Sequence, residues 1–111
     1  MSKPSSDGWQ LFQLEALLKK VEGTEPRYYE FLSKRSMSMA VYRLPIGSKD
    51  MQSPHLEDEI YLVIEGKATL EVDGRKQEAT RGSILFVPAN TPHTFFDIQE
   101  HLTVLAFFGA H

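Results

Sequence analysis

The chain has 111 residues, of which 41% are hydrophobic and 24% charged, with twelve Lys and Arg against fifteen Asp and Glu for a formal net charge of −3. That is one domain with one core, lacking the basic surplus on which nucleic-acid binding draws. Cysteine is absent, which excludes a disulfide framework, a thiolate metal site and a cysteine nucleophile together, and leaves imidazole and carboxylate as the ligands for any metal.

Met1–Gly8 is polar and rich in Ser, Pro and Gly, so a flexible tail is expected there and a single domain over 9–111. The tail has no apolar stretch of signal-peptide length, and no apolar run approaches the roughly 20 residues of a membrane span. A cytoplasmic protein with no membrane partner is the expectation. Leu14, Leu17, Leu18 and Val21 recur at helical spacing, which predicts one short helix, with Lys19 and Lys20 in its last turn and Gly23 as its cap. Trp9, beside the tail, is expected to pack that helix onto the rest of the fold.

From Arg27 the period becomes two. Arg27–Leu32 and Ser36–Leu44 read as strands, the second stopped by Pro45-Ile46-Gly47. Glu59–Ile64 follows and ends at Gly66. Ala68–Val72 and Arg75–Ala79 flank Asp73-Gly74, a strong hairpin signal. Ser83–Val87 runs to Pro88, His93–Ile98 follows the turn at 89–92, and Leu102–Phe108 closes the chain after the polar turn Gln99-Glu100-His101. No second helix intervenes, so parallel βαβ architecture is excluded. The expected fold is all-β: an antiparallel barrel or jelly roll with one short N-terminal helix. The runs 60–64 and 104–108 are apolar on both faces, so their outer face needs cover as well. One helix covers one patch. A second subunit is the economical cover for the rest, making a homodimer, and a second sheet layer is the alternative.

Of four histidines, two stand where strand parity gives them company. His55, Glu57, Glu59 and Tyr61 share one parity, while His93, Phe95 and Asp97 share another. If those faces meet inside a barrel, His55, Glu59 and His93 converge as two imidazoles and a carboxylate, the facial set of non-haem Fe(II) that also holds zinc or manganese. The plainer reading stays open at this point: each histidine follows a proline and can be a loop residue, and Glu57-Asp58-Glu59 can be a solvated acidic face. Tyr61 and Phe95 are pocket-lining candidates or core. Arg43, on the strand before Gly47, is either a contact for an anionic substrate at the barrel mouth or an exposed arginine. His101 and His111 have no assigned role.

The spacing of these residues resembles the cupin superfamily. Gly47, five residues, Ser53-x-His55, three residues, Glu59, six residues and Gly66 follow its first motif; Gly82, five residues, Pro88-x-Asn90, two residues, His93, three residues and Asp97 follow its second. Fifteen residues separate the core motifs 47–66 and 82–97. Three positions depart from the pattern. Ser53 stands in place of the first histidine, Asn90 in place of a glycine, and Asp97 in place of an asparagine. The resemblance implies His55, Glu59 and His93 as metal ligands, with Glu57 as a possible substitute for the missing fourth. It implies a divalent metal (iron, manganese, nickel or zinc) and a small-molecule ligand or substrate. The expected function is that of a metal-dependent enzyme of dioxygenase, lyase or isomerase type, an oxidoreductase in the first case. The alternatives are a non-catalytic small-molecule or sugar-binding module and a purely structural domain, since one fold hosts all three.

Overall fold

A computed structural model describes residues 8–50 and 54–109. The tail expectation lies outside these residues except at Gly8, and the readings of Ser53 and His111 lie outside them entirely.

Helix α1 (Leu14–Lys19) is shorter than its apolar pattern. It buries Leu17, and just past its end Val21, against Val41 and the partly buried Phe31 and Leu105. Gly23 falls three residues after the C-cap, Lys20, rather than capping the helix. Trp9 does not seat the helix, being 86% exposed. Phe12 does so instead, packing edge-on to Phe31 with ring centroids 4.9 Å apart.

Six antiparallel strands follow: β1 (Arg27–Ser33), β2 (Met37–Leu44), β3 (Glu59–Val72), β4 (Arg75–Thr80), β5 (Ile84–Val87) and β6 (His93–Gly109). They hydrogen-bond in the order β1-β2-β6-β3-β4, and β5 pairs with β3. β3 carries β5 along its first half and β4 along its second, while β6 runs beside it along both halves. The β3–β4 hairpin turns on Asp73 (φ 51°) and Gly74 (φ 84°), the two left-handed residues of a type I′ turn.

Two expected chain breaks are bends inside long strands. Gly66 does not end a strand, and 99–101 is not a turn. The ladder between β3 and β6 shifts register between Val63 and Thr69, and a bulge absorbs the irregularity without ending the pairing. At that point the two backbones nearly touch. A Cβ on Gly66 would lie 2.3 Å from the His101 carbonyl oxygen and 2.6 Å from Leu102 Cα, and φ at Gly66 is +102°. Gln99, Glu100 and His101 are exposed because the bend carries them outward. His101 gains a contact that its sequence context did not suggest: its Nδ1 accepts a hydrogen bond from the Ile46 N–H at 3.0 Å.

The inner face holds the larger core, with Leu44, Tyr61, Val63, Leu70, Phe95 and Leu102 among its members. The smaller one lies outside, under α1. The helix therefore covers Val41 and Leu105 on the outer face and leaves Ile60 and Phe86 beyond it exposed. Among the described residues no helix is long and apolar enough to cross a membrane.

Candidate metal centre

Glu59 opens β3 and His93 opens β6. In the ladder they are not neighbours, since Glu59 pairs with Phe108 and His93 with Val72. The bends in both strands bring the two ends together across the interior. His93 Nε2 lies 3.2 Å from Glu59 Oε1, and His55 Nε2, from the segment leading into β3, lies 3.9 Å from the same oxygen. One ligand atom from each of the three residues falls within 4.8 Å of the others. The backbone holds His55 in place: the Asn90 N–H donates to its carbonyl oxygen at 2.6 Å. Asn90 has φ 59°, a conformation that asparagine tolerates.

The polar atoms of this cluster are buried and short of partners. His55 Nε2, both Glu59 carboxylate oxygens and His93 Nε2 have no well-aligned hydrogen bond, and Glu59 is only 1% exposed. Taking a carboxylate out of water without a paired charge costs several kcal/mol. A divalent cation between the three residues would remove that cost, and two imidazoles with one carboxylate form the facial set that suits such an ion. The donor orientation is also right. The Thr91 carbonyl can only accept, so His93 Nδ1, 2.8 Å away, carries the proton and donates it. That leaves the Nε2 lone pair facing the cluster, the arrangement in which an outer hydrogen bond sets a ligand's tautomer. These residues could hold a metal.

Charge and burial tune the groups around the cluster. The Glu59 carboxylate, 3.2 Å away, raises the His93 pKa above its ordinary value; burial opposes the rise, while the Thr91 carbonyl adds to it. Burial, with Glu59 adding, pushes the Tyr61 hydroxyl far up, so it keeps its proton. Tyr28, on β1, is pushed up to about 12 by burial and then by Glu30, Glu59 and Glu57.

Tyr61 and Phe95 are buried beside the cluster, with ring centroids 6.1 Å (Tyr61 to His93) and 4.9 Å (Tyr61 to Phe95) apart. Glu57 is not part of the three-residue group. It lines a separate cavity with Glu30, Lys34 and Arg35. Arg43 is held on the outer face, since β2 points Tyr42 and Leu44 inward on either side of it. Its Nη1 contacts Glu65 Oε2 and Thr103 Oγ1, each at 3.2 Å. That parity was available in the sequence.

Three contributors had no such signal. Thr91 acts through its main chain. Phe108 lies edge-on to His55 at 4.8 Å from the far end of β6. Asp50 accepts hydrogen bonds from the Tyr42 hydroxyl at 2.8 Å and from the Phe95 N–H at 2.9 Å. It thereby ties the chain at position 50 to β2 and β6.

Comparison with known proteins agrees with this geometry. The family model described as "Cupin domain" matches residues 40–108. An uncharacterized protein of Streptomyces coelicolor is 38% identical over 98 residues, covering 88% of this chain and 93% of the relative. Among solved structures, a cupin superfamily protein from Desulfitobacterium hafniense is similar with a TM-score of 0.75 at 18% identity, covering 86% of this chain and 88% of that one. The DMSP lyase DddQ from Ruegeria pomeroyi is similar with a TM-score of 0.72 at 19% identity, covering 78% of this chain and 47% of that one. With a matching family model and a relative this near along its length, the chain belongs to the cupin family.

Proposed function

We propose that the protein is a cytoplasmic metal-dependent enzyme of dioxygenase, lyase or isomerase type, acting on a small polar or anionic molecule inside the barrel. One observation carries this reading: four buried ligating atoms of His55, Glu59 and His93 face one another without hydrogen-bond partners. When bound, a divalent metal such as iron, manganese, nickel or zinc supplies Lewis acidity and, if redox-active, activation of O₂. The chain's own residues would do the rest. Glu59 contributes the negative charge, and His93 arrives with its proton already placed on Nδ1. Tyr61, backed by Phe95, keeps its hydroxyl proton against the Glu59 side, and Phe108 would exclude water from the His55 ring. Held by three protein ligands, such a metal would have room for a substrate's oxygen atoms. The lyase among the structural neighbours is consistent with this barrel hosting such chemistry.

The test is metal content by elemental analysis of untagged protein, wild type against His93→Ala. Stoichiometric metal lost in the variant is expected. Protein that takes up no metal under any loading condition would refute the proposal. O₂ uptake and product formation with a panel of small diketones, thiols and carboxylates then identify the reaction. Ser53, where the family motif has a histidine, favours a second reading. With a ligand fewer, the barrel would bind a small molecule or sugar without converting it, and the panel would show binding but no turnover.

A further inference from the structure

The turn between β1 and β2 and the segment leading into β3 meet around a cavity of about 390 Å³. Its charged lining is Glu30, Lys34, Arg35 and Glu57, two of each sign, and Ser33 and Ser38 add two hydroxyls. Among the described residues none of the four charged groups forms an ion pair, with one another or elsewhere. Opposite charges are thus gathered on one cavity without neutralising each other.

Strand register shows which way these groups face. Glu30 pairs with Ala40, Ala40 with Ala106 and Ala106 with Tyr61. Residues paired across antiparallel strands share a face, so Glu30 lies on the inner face with Tyr61, and two alanines separate them. The neighbouring row is Ser33, Ser38, Phe108 and Glu59. Ser38 is two strand spacings from Glu59, about 10 Å, and Phe108 between them lies edge-on to His55. Tyr28, next along the inner face of β1, shows the same convergence, because the charges of Glu30, Glu59 and Glu57 all act on its hydroxyl. The cavity therefore adjoins the His55, Glu59 and His93 cluster, with Phe108 as the shared wall.

An anion drawn to Lys34 and Arg35 would meet two carboxylates in the same cavity, and a cation drawn to Glu30 and Glu57 would meet two cations. A ligand carrying both signs satisfies all four, and like-charge contacts reject the others. We propose that this cavity binds a small zwitterion of amino-acid type, its carboxylate held by Arg35 and Lys34 and its ammonium by Glu57 and Glu30. A guanidinium matches the two oxygens of a carboxylate, and a cavity of about 390 Å³ suits a small molecule. Resting on the metal reading, this is the recognition end of the substrate, and the remainder of the molecule passes Phe108 to reach the metal. Binding of the zwitterionic end itself needs no metal, since none of its four contacts belongs to the cluster.

Calorimetric titration of the purified protein, with and without a chelator, tests this with L-alanine, 4-aminobutyrate, butyrate and butylamine. One or both zwitterions should bind about tenfold more tightly than butyrate and butylamine, equally in the two conditions. Lys34→Gln with Arg35→Gln should abolish that preference, and so should Glu30→Gln with Glu57→Gln. The second pair should also strengthen butyrate binding, because the repelling carboxylates are gone. Glu30, Lys34 and Arg35 are exposed and Glu57 half-buried, so circular dichroism should be unchanged in both variants. Absence of saturable binding by either zwitterion would overturn the proposal, as would butyrate binding as tightly as they do. So would a preference that survives both double substitutions, or binding lost with the chelator, which would put the ligand on a metal instead. Because affinity is read without metal, failure here leaves the metal proposal standing, and a protein that takes up no metal leaves this one.

Discussion

β3 and β6 have two faces, and each lacks something of opposite character. Inward, at Glu59 and His93, they bury polar atoms without well-aligned partners. Outward, at Ile60 and Phe107, they line an apolar groove. A carboxylate in a dry interior calls for a cation, whereas an apolar surface in water calls for another apolar surface. Alternation along one strand separates the two needs by a single residue, with Glu59 beside Ile60. The comparison teaches that a buried polar cluster and an exposed apolar groove can be built on one backbone from alternate side chains, with Phe108 reaching both.

The largest effect should come from the one place where both faces fail together. Gly66→Val puts a Cβ onto the β6 backbone at a left-handed position, where nothing flexible can yield. A loss of more than about 4 kcal/mol, or failure to fold, is expected in denaturant unfolding. Asp50→Ala comes next. It removes the hydrogen bonds from the Tyr42 hydroxyl and the Phe95 N–H, at about 1–3 kcal/mol. Asp50→Asn can still accept from one group and donate to the other, so it should restore most of the stability.

Glu59→Gln sharpens the contrast, because it should move stability and metal binding in opposite directions. At a pH above the folded His93 pKa, where the imidazole is neutral, removing the buried charge should stabilise the metal-free protein by about 1–2 kcal/mol, seen as a higher Tm, while abolishing metal retention. A Tm that falls in the metal-free variant would show that the carboxylate is already satisfied by the protein.

The pH response should also divide metal-free from loaded protein. The folded His93 pKa is raised, so its contribution to metal-free stability is fully present below about 6.5, the unfolded value. It is lost as pH rises through the higher folded value. Metal needs the neutral imidazole, so affinity should instead weaken as pH falls through that same range. Tm against pH with and without metal should therefore slope in opposite senses, and His93→Gln should flatten both. The smallest effect on the fold belongs to the outer face. Ile84→Ser should leave monomer stability within about 0.5 kcal/mol in thermal unfolding and metal content unchanged.

Much of this was legible in local pattern. Alternation and turn chemistry mark the β segments, and Asp73-Gly74 turns with both residues left-handed. Parity and spacing single out His55, Glu59, His93 and Tyr61, which the structure gathers around one point. Two of the failures share a cause. Gly66 and 99–101 look like chain breaks because a bulge interrupts alternation as a turn does, and only the neighbouring strand distinguishes the two. That strand is some 35 residues away, beyond the reach of local pattern. Asp50 and Thr91 escaped notice because they act on, or through, main-chain groups that carry no residue identity. Arg43 differs: the flanking Tyr42 and Leu44 already indicated an outward side chain.

The hydrogen bond from His93 to the Thr91 carbonyl has a consequence for how such a centre can change. Its acceptor belongs to the peptide rather than to a side chain, so a mutation at position 91 that keeps the backbone path leaves it intact. The orientation of the imidazole is thus inherited from the shape of the turn at 89–92. Substitutions at positions 55 and 59 would change the donors of the cluster while His93 stays aimed. The converse also holds, since an insertion in that turn would misdirect His93 even with every ligand residue still in place.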